Sequence, residues 1–278
     1  MNEPSAASAA PSEARRTLRA VPTLFRVGFA SALAYRSEML VWILATNMPL
    51  VMLALWSAVA RDGPVGRFGQ RDFVAYFLAT LIVRQLSGSW VVWEMNQEIR
   101  QGTLGQRLLR PIHPFLSYAA DNLAAIPLRV AIALPVATIG LVWAGGDKLT
   151  HDPMLWAIVP LSIFGAWLIT FSAMLMIGTL GLYFESSLAG YDLWIGLYFV
   201  FSGYLLPLEL FPSWLLRFVR LSPFPFVLSF PVETMLGLQT RARALAALGM
   251  QWVYVAVFLV AAITLWRRGL RRYAAYGG

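Results

Sequence analysis

The chain has 278 residues, 59% hydrophobic, 14% aromatic and only 13% charged, where soluble domains run at roughly 45–50% apolar and about 25% charged. That excess excludes a soluble globular chain and a disordered one, and the lack of cysteine excludes disulfide, thiolate and Cys-zinc chemistry. Twenty-two Lys+Arg against fourteen Asp+Glu leave +8, with Lys148 the single lysine. On so apolar a chain, this excess points to anionic lipid or membrane topology rather than nucleic acid.

Residues 1–22, rich in Ala, Ser and Pro with Arg15, Arg16 and Arg19, read as a disordered cytoplasmic tail. Glu3, Glu13 and the absence of a small-residue cleavage pattern argue against an export signal or transit peptide. Residues 23–278 read as one transmembrane domain. It opens on Thr23–Met39, where Leu24, Phe25, Val27 and Phe29 alternate with Arg26, Arg36 and Glu38, the pattern of an amphipathic helix on the inner membrane surface.

Six apolar runs follow, at 41–60, 73–93, 123–143, 155–183, 193–206 and 245–266. Most approach the ~20 residues needed to cross a ~30 Å hydrocarbon core. The reading is an all-α polytopic membrane protein with six transmembrane helices and both termini cytoplasmic. Arg100, Arg107, Arg110, Arg267, Arg268, Arg271 and Arg272 support that orientation, with a modest positive-inside bias. Between the last two runs, Pro207, Pro212, Pro223, Pro225 and Pro231 separate apolar stretches too short to cross. Residues 203–237 are therefore expected to form short re-entrant or interfacial helices on the outer side; the alternative is a surface loop with an amphipathic helix at Trp214–Val219.

No catalytic set emerges. His113 and His151, the only histidines, each lie near a proline outside the runs, and no HExxH, GxSxG or GxxxxGK[ST] pattern occurs. The chain is read as a non-enzyme that binds no cofactor or metal of its own. Arg84 falls midway through the second run, with Thr80, Ser87 and Gly88 on the same helical face. A charge at membrane depth is a functional hypothesis by default, so this stripe is read as pathway lining, the alternative being a structural or snorkelling arginine. Arg129, near the start of the third run, is expected to snorkel to the inner interface.

The polar segment 94–114 carries Glu98 in front, Arg107 and Arg110 behind, and Leu104, Leu108 and Leu109 on one side. It predicts a short amphipathic helix ended by Pro111, able to meet a partner or to float on lipid headgroups.

With these segments in place, the sequence resembles the membrane subunits of type-2 ATP-binding-cassette (ABC) exporters, the six-span bacterial permeases. The likeness is carried by EIRQGTLGQRLLRPIHP at Glu98–Pro114, FSGYLLPLELFPSWL at Phe201–Leu215 and LWRRGLRRYAAYGG at Leu265–Gly278, in that order. The resemblance implies a bacterial cytoplasmic (inner) membrane location and a pathway formed with a second permease, the same or a homologous chain. It also implies two copies of a cytoplasmic ABC ATPase subunit, which would hold the ATP and Mg. By position, it assigns Glu98, Arg100, Gly102, Leu104, Leu108, Arg110 and Pro111 to ATPase coupling, and Gly203, Pro207, Glu209 and Pro212 to an outer gate. An ion-coupled secondary transporter or channel is the alternative, disfavoured because the runs lack carboxylates at their centres.

Overall fold

The computed structural model describes residues 22–30 and 48–276. The expected tail, the second half of the amphipathic helix and the start of the first run lie outside the described residues. Residues 22–30 form α1, which leaves Phe25, Val27 and Phe29 exposed. Next come α2 Met48–Val59, α3 Gln70–Ser87, α4 Val91–Arg100, α5 Leu104–Leu108, α6 Pro114–Ala124, α7 Ile126–Gly145 and α8 Pro153–Thr179. The chain continues through α9 Leu188–Phe201, α10 Ser213–Arg220, α11 Phe224–Val227, α12 Ser229–Met235 and α13 Arg241–Tyr276. Among the described residues there is no strand beyond an isolated Val65–Phe68 bridge, so the chain is an all-α membrane protein.

Among the described residues, three stretches are long and apolar enough to cross a bilayer: Gln70–Arg100, Pro153–Leu182 and Arg241–Tyr273. Met48–Val59 and Leu188–Phe201 are shorter apolar helices, and α7, 20 residues with Pro135 inside it, covers the third expected run.

The α8 helix is the hub, touching α13, α4, α12, α11 and α3. Its buried face is rich in small residues, including Ser162, Gly165, Ala166, Ala173 and Gly178. In lipid, helices associate by such close approach, because burial from lipid gives no hydrophobic gain. A Cβ on Gly165 would sit 2.7 Å from the Gln251 side chain, and one on Gly178 would sit 2.8 Å from Met95 Sδ. Gln251 Nε2 donates to the carbonyls of Ser162 and Phe226, both at 2.8 Å, fastening α13 to α8 and α11. Some 72% of the apolar window of α8 is buried within the chain but only 17% of that of α13, which therefore turns most of its surface outward.

Two expectations change. The second run is not one unbroken helix: α3 ends at Gly88, whose ψ of 144° is extended, and α4 restarts at Val91. A Gly-Ser pair, Gly88-Ser89, stands at the break, one of the few known causes of a sharp kink. Nor does Arg129 snorkel. It is 4% exposed and donates to the carbonyls of Gly88 at 2.9 Å and Asn122 at 3.3 Å, because these two acceptors inside the fold lie within its reach.

After α9 the backbone breaks up into the short helices expected from the prolines. The α11 and α12 helices are almost wholly buried, whereas α10 exposes Trp214 and Phe218, with Leu221 exposed just beyond its end. Irregular backbone persists at membrane depth only where protein satisfies its polar groups. Here Tyr76 Oη donates to Gly203 O at 2.8 Å, Trp56 Nε1 to Leu205 O at 2.8 Å, and Ser229 N to Ser202 O at 3.0 Å.

Candidate functional site

At one end of the Gln70–Arg100 stretch, the polar segment folds differently from the single short helix expected. Glu98 belongs to the last turn of α4, and the chain reverses at Gly102, whose φ of +70° favours glycine. Only the five residues of α5 follow before the Leu109–His113 turn.

Arg107 holds this turn together. Its guanidinium donates to Glu98 Oε1 from Nη2 at 2.7 Å and from Nε at 3.0 Å, to Ser117 Oγ at 2.8 Å and Asp121 Oδ2 at 3.2 Å, and to Glu94. The Tyr118 ring lies 3.9 Å from Arg107 Cζ, and Tyr118 Oη donates to Glu98 Oε2 at 2.6 Å. Burial works to lower the Arg107 pKa, but the bond to Glu98 and the charge of Glu94 outweigh it and hold the group charged. Burial raises the pKa of Tyr118, reinforced by its bond to Glu98, so the phenol stays a donor. His113 caps α6 by accepting from Phe115 N at 3.2 Å; burial and the Arg267 charge lower its pKa and keep Nδ1 free to accept.

This geometry divides the residues assigned by resemblance. Leu104 is fully buried, Glu98 faces Arg107 and Tyr118, and Leu108 is half-buried, so these three brace the turn from within. Arg100, Gly102, Arg110 and Pro111 are exposed, together with Leu109, which is 87% exposed. Sequence reasoning placed Leu104 and Leu109 on one side; the turn sends one inward and the other out. Neither Arg107 as hub nor Leu109 as exposed apolar tip was anticipated. The signal available for Arg107 was Glu94 and Glu98, one helical turn apart, but Arg100 and Arg110 in the same segment were rival partners for them.

At the other end of the same stretch lie the four residues assigned to a gate. Gly203 has φ +88°, and a Cβ there would stand 2.5 Å from Tyr76 Oη. Pro207 is buried at the start of a 3-10 turn, Leu208–Leu210. Glu209 on that turn pairs with Arg67, and Pro212 precedes α10.

Between the two ends is a small, partly open pocket beside the Gly88 break. Arg84 and Ser87 of the expected stripe line it, with Ser89 and Trp90 of the break and Tyr198 of α9 opposite. Gly88 supports the wall: a Cβ there would be 2.8 Å from Arg84 Nη1 and 3.5 Å from Arg129 Nη1. Thr80 is fully buried and is not among the lining residues. Arg84 Cζ stands 5.6 Å from the Tyr198 ring centroid, and the guanidinium hydrogen-bonds Tyr204.

The comparison with curated proteins returns no match. A family model described as "ABC-2 family transporter protein" matches residues 42–277, almost the whole chain. An all-α membrane fold with a braced polar turn at one end and a proline-broken region at the other is thus the permease component of an ABC transporter, and the chain belongs to the ABC-2 family of transporter proteins.

Proposed function

We propose that this permease is an exporter subunit of six spans in a bacterial cytoplasmic membrane, with both termini in the cytoplasm. It pairs with a second permease to enclose the pathway and couples to a separate ATPase through residues 98–111. Hydrolysis takes place in that partner, whose closure on ATP pushes the turn and, through it, α4 and α6.

The observation that carries the reading is the braced turn. A coupling element must be stiff enough to transmit force and must present a surface of its own. Arg107, bonded to α4 and α6 at once, supplies the stiffness, and Leu109 among Arg100, Arg110 and Pro111 supplies the surface. An exposed leucine followed by an exposed arginine suits an apolar pocket with a polar rim. The test is Leu109→Asp combined with Arg110→Glu, read by co-purification of the ATPase subunit. Expected is normal insertion with the ATPase lost; undiminished co-purification removes the turn from the interface.

A further inference from the structure

A second pair of cations inside the fold, half-buried Arg84 and buried Arg129, has none of the carboxylates that surround Arg107. Arg84 and Arg129 converge on Gly88, yet among the described residues no carboxylate forms an ion pair with either. The Nε atoms of both arginines are buried without a hydrogen-bond partner, and so is Ser89 Oγ at the break. Arg84 and Ser89 both line the cavity. The rest of the wall is apolar or aromatic, with Met174, Trp194, Ile195 and Val227.

From this arrangement we infer that the pocket receives the anionic headgroup of an amphiphile, a phosphate or carboxylate drawn to the Arg84 guanidinium on its wall, while its apolar part lies against Trp194 and Met174. Guanidinium is the side chain best matched to such oxyanions, offering paired donors in a fixed fork. Like charges held together inside a membrane protein are also a poor structural element, since each raises the cost of the other. An arriving anion relieves that repulsion. The inference deepens the exporter reading by naming a substrate class, and rests on it for the step from binding to transport.

The experiment uses the full-length chain in neutral detergent without any ATPase, so that a failure of the coupling assignment leaves its outcome unaffected. Native mass spectrometry titrates phosphatidic acid, phosphatidylcholine and inorganic phosphate against the wild type and Arg84→Gln. Expected is preferential retention of phosphatidic acid by the wild type, weakened about tenfold in Arg84→Gln, with phosphatidylcholine unchanged. Equal binding of the two lipids, or phosphatidic acid binding indifferent to Arg84→Gln, overturns the proposal. Inorganic phosphate binding as tightly as the lipid overturns the amphiphile assignment. Should Arg84→Gln fail to fold, Ser89→Val serves instead: it adds bulk at the cavity wall without breaking a hydrogen bond, and it too should weaken phosphatidic acid binding and spare phosphatidylcholine.

Discussion

Arg107 is buried just beyond the Gln70–Arg100 stretch and Arg84 is half-buried within it, and their surroundings are opposite. Arg107 touches three carboxylates, a hydroxyl and an aromatic face. Arg84 has a tyrosine hydroxyl, a ring and another arginine nearby. A charge whose donors are taken up by its own fold holds structure in place, whereas a charge left short of anions inside a membrane is costly to keep and is retained for what it binds. The contrast separates a brace from a binding site without reference to any relative.

The largest expected effect breaks the brace. Arg107→Ala leaves Glu94, Glu98 and Asp121 facing one another and should cost about 3–5 kcal/mol, seen as a large fall in the detergent melting temperature; Arg107→Lys should recover only part, since one ammonium cannot span α4 and α6. By contrast, Arg84→Met removes an uncompensated charge, and the melting temperature should stay unchanged or rise, while phosphatidic acid binding falls. A loss of stability as large as that of Arg107→Ala would make Arg84 structural and erase the contrast. Gly102→Ala should cost about 1 kcal/mol, all of it backbone strain at φ +70°, because a Cβ there meets nothing within 4 Å; thermal unfolding reads it.

The smallest effect is expected at the start of α8, where Arg241 and the Met154 N–H hydrogen-bond Asp152 and lower its pKa. A carboxylate depressed in the folded state contributes stability above its unfolded pKa and loses it as pH falls through the folded value. Asp152→Asn should flatten that acid limb slightly, as measured by melting temperature against pH; the pair is exposed and well screened.

Much of the fold was legible in the sequence. The long apolar runs gave α8 and α13, because twenty or more residues without charge have few places to go but a bilayer. The prolines at 207, 212, 223, 225 and 231 foretold the short helices, and the spacing of Arg84 and Ser87 placed both on the cavity wall. The break at Gly88 stayed hidden because no proline marks it and the apolar run resumes beyond it at Trp90, Val91 and Val92; the Gly88-Ser89 pair was the signal it offered. Arg129 was misread for a related reason: nearness to a span end suggested an aqueous escape, while the carbonyls of Gly88 and Asn122 that hold it lie far along the chain or in another helix. The turn at 100–113 was found but not its inside and outside. Both leucines follow Gly102, and five residues of helix turn through about 500°, which leaves them about 140° apart; Leu109 also lies past the end of α5, so Leu104 faces in and Leu109 out.

The central claim is that this permease works with a separate ATPase docked on the braced turn. Its most direct test is purification of the tagged chain in mild detergent from its native host, with mass spectrometry of what accompanies it and an ATPase assay of the eluate. A stoichiometric nucleotide-binding subunit with vanadate-sensitive hydrolysis is the expected result, and any second membrane protein would identify the paired permease. A chain that purifies alone and free of ATPase activity would contradict the account and return the secondary-transporter or channel reading to first place.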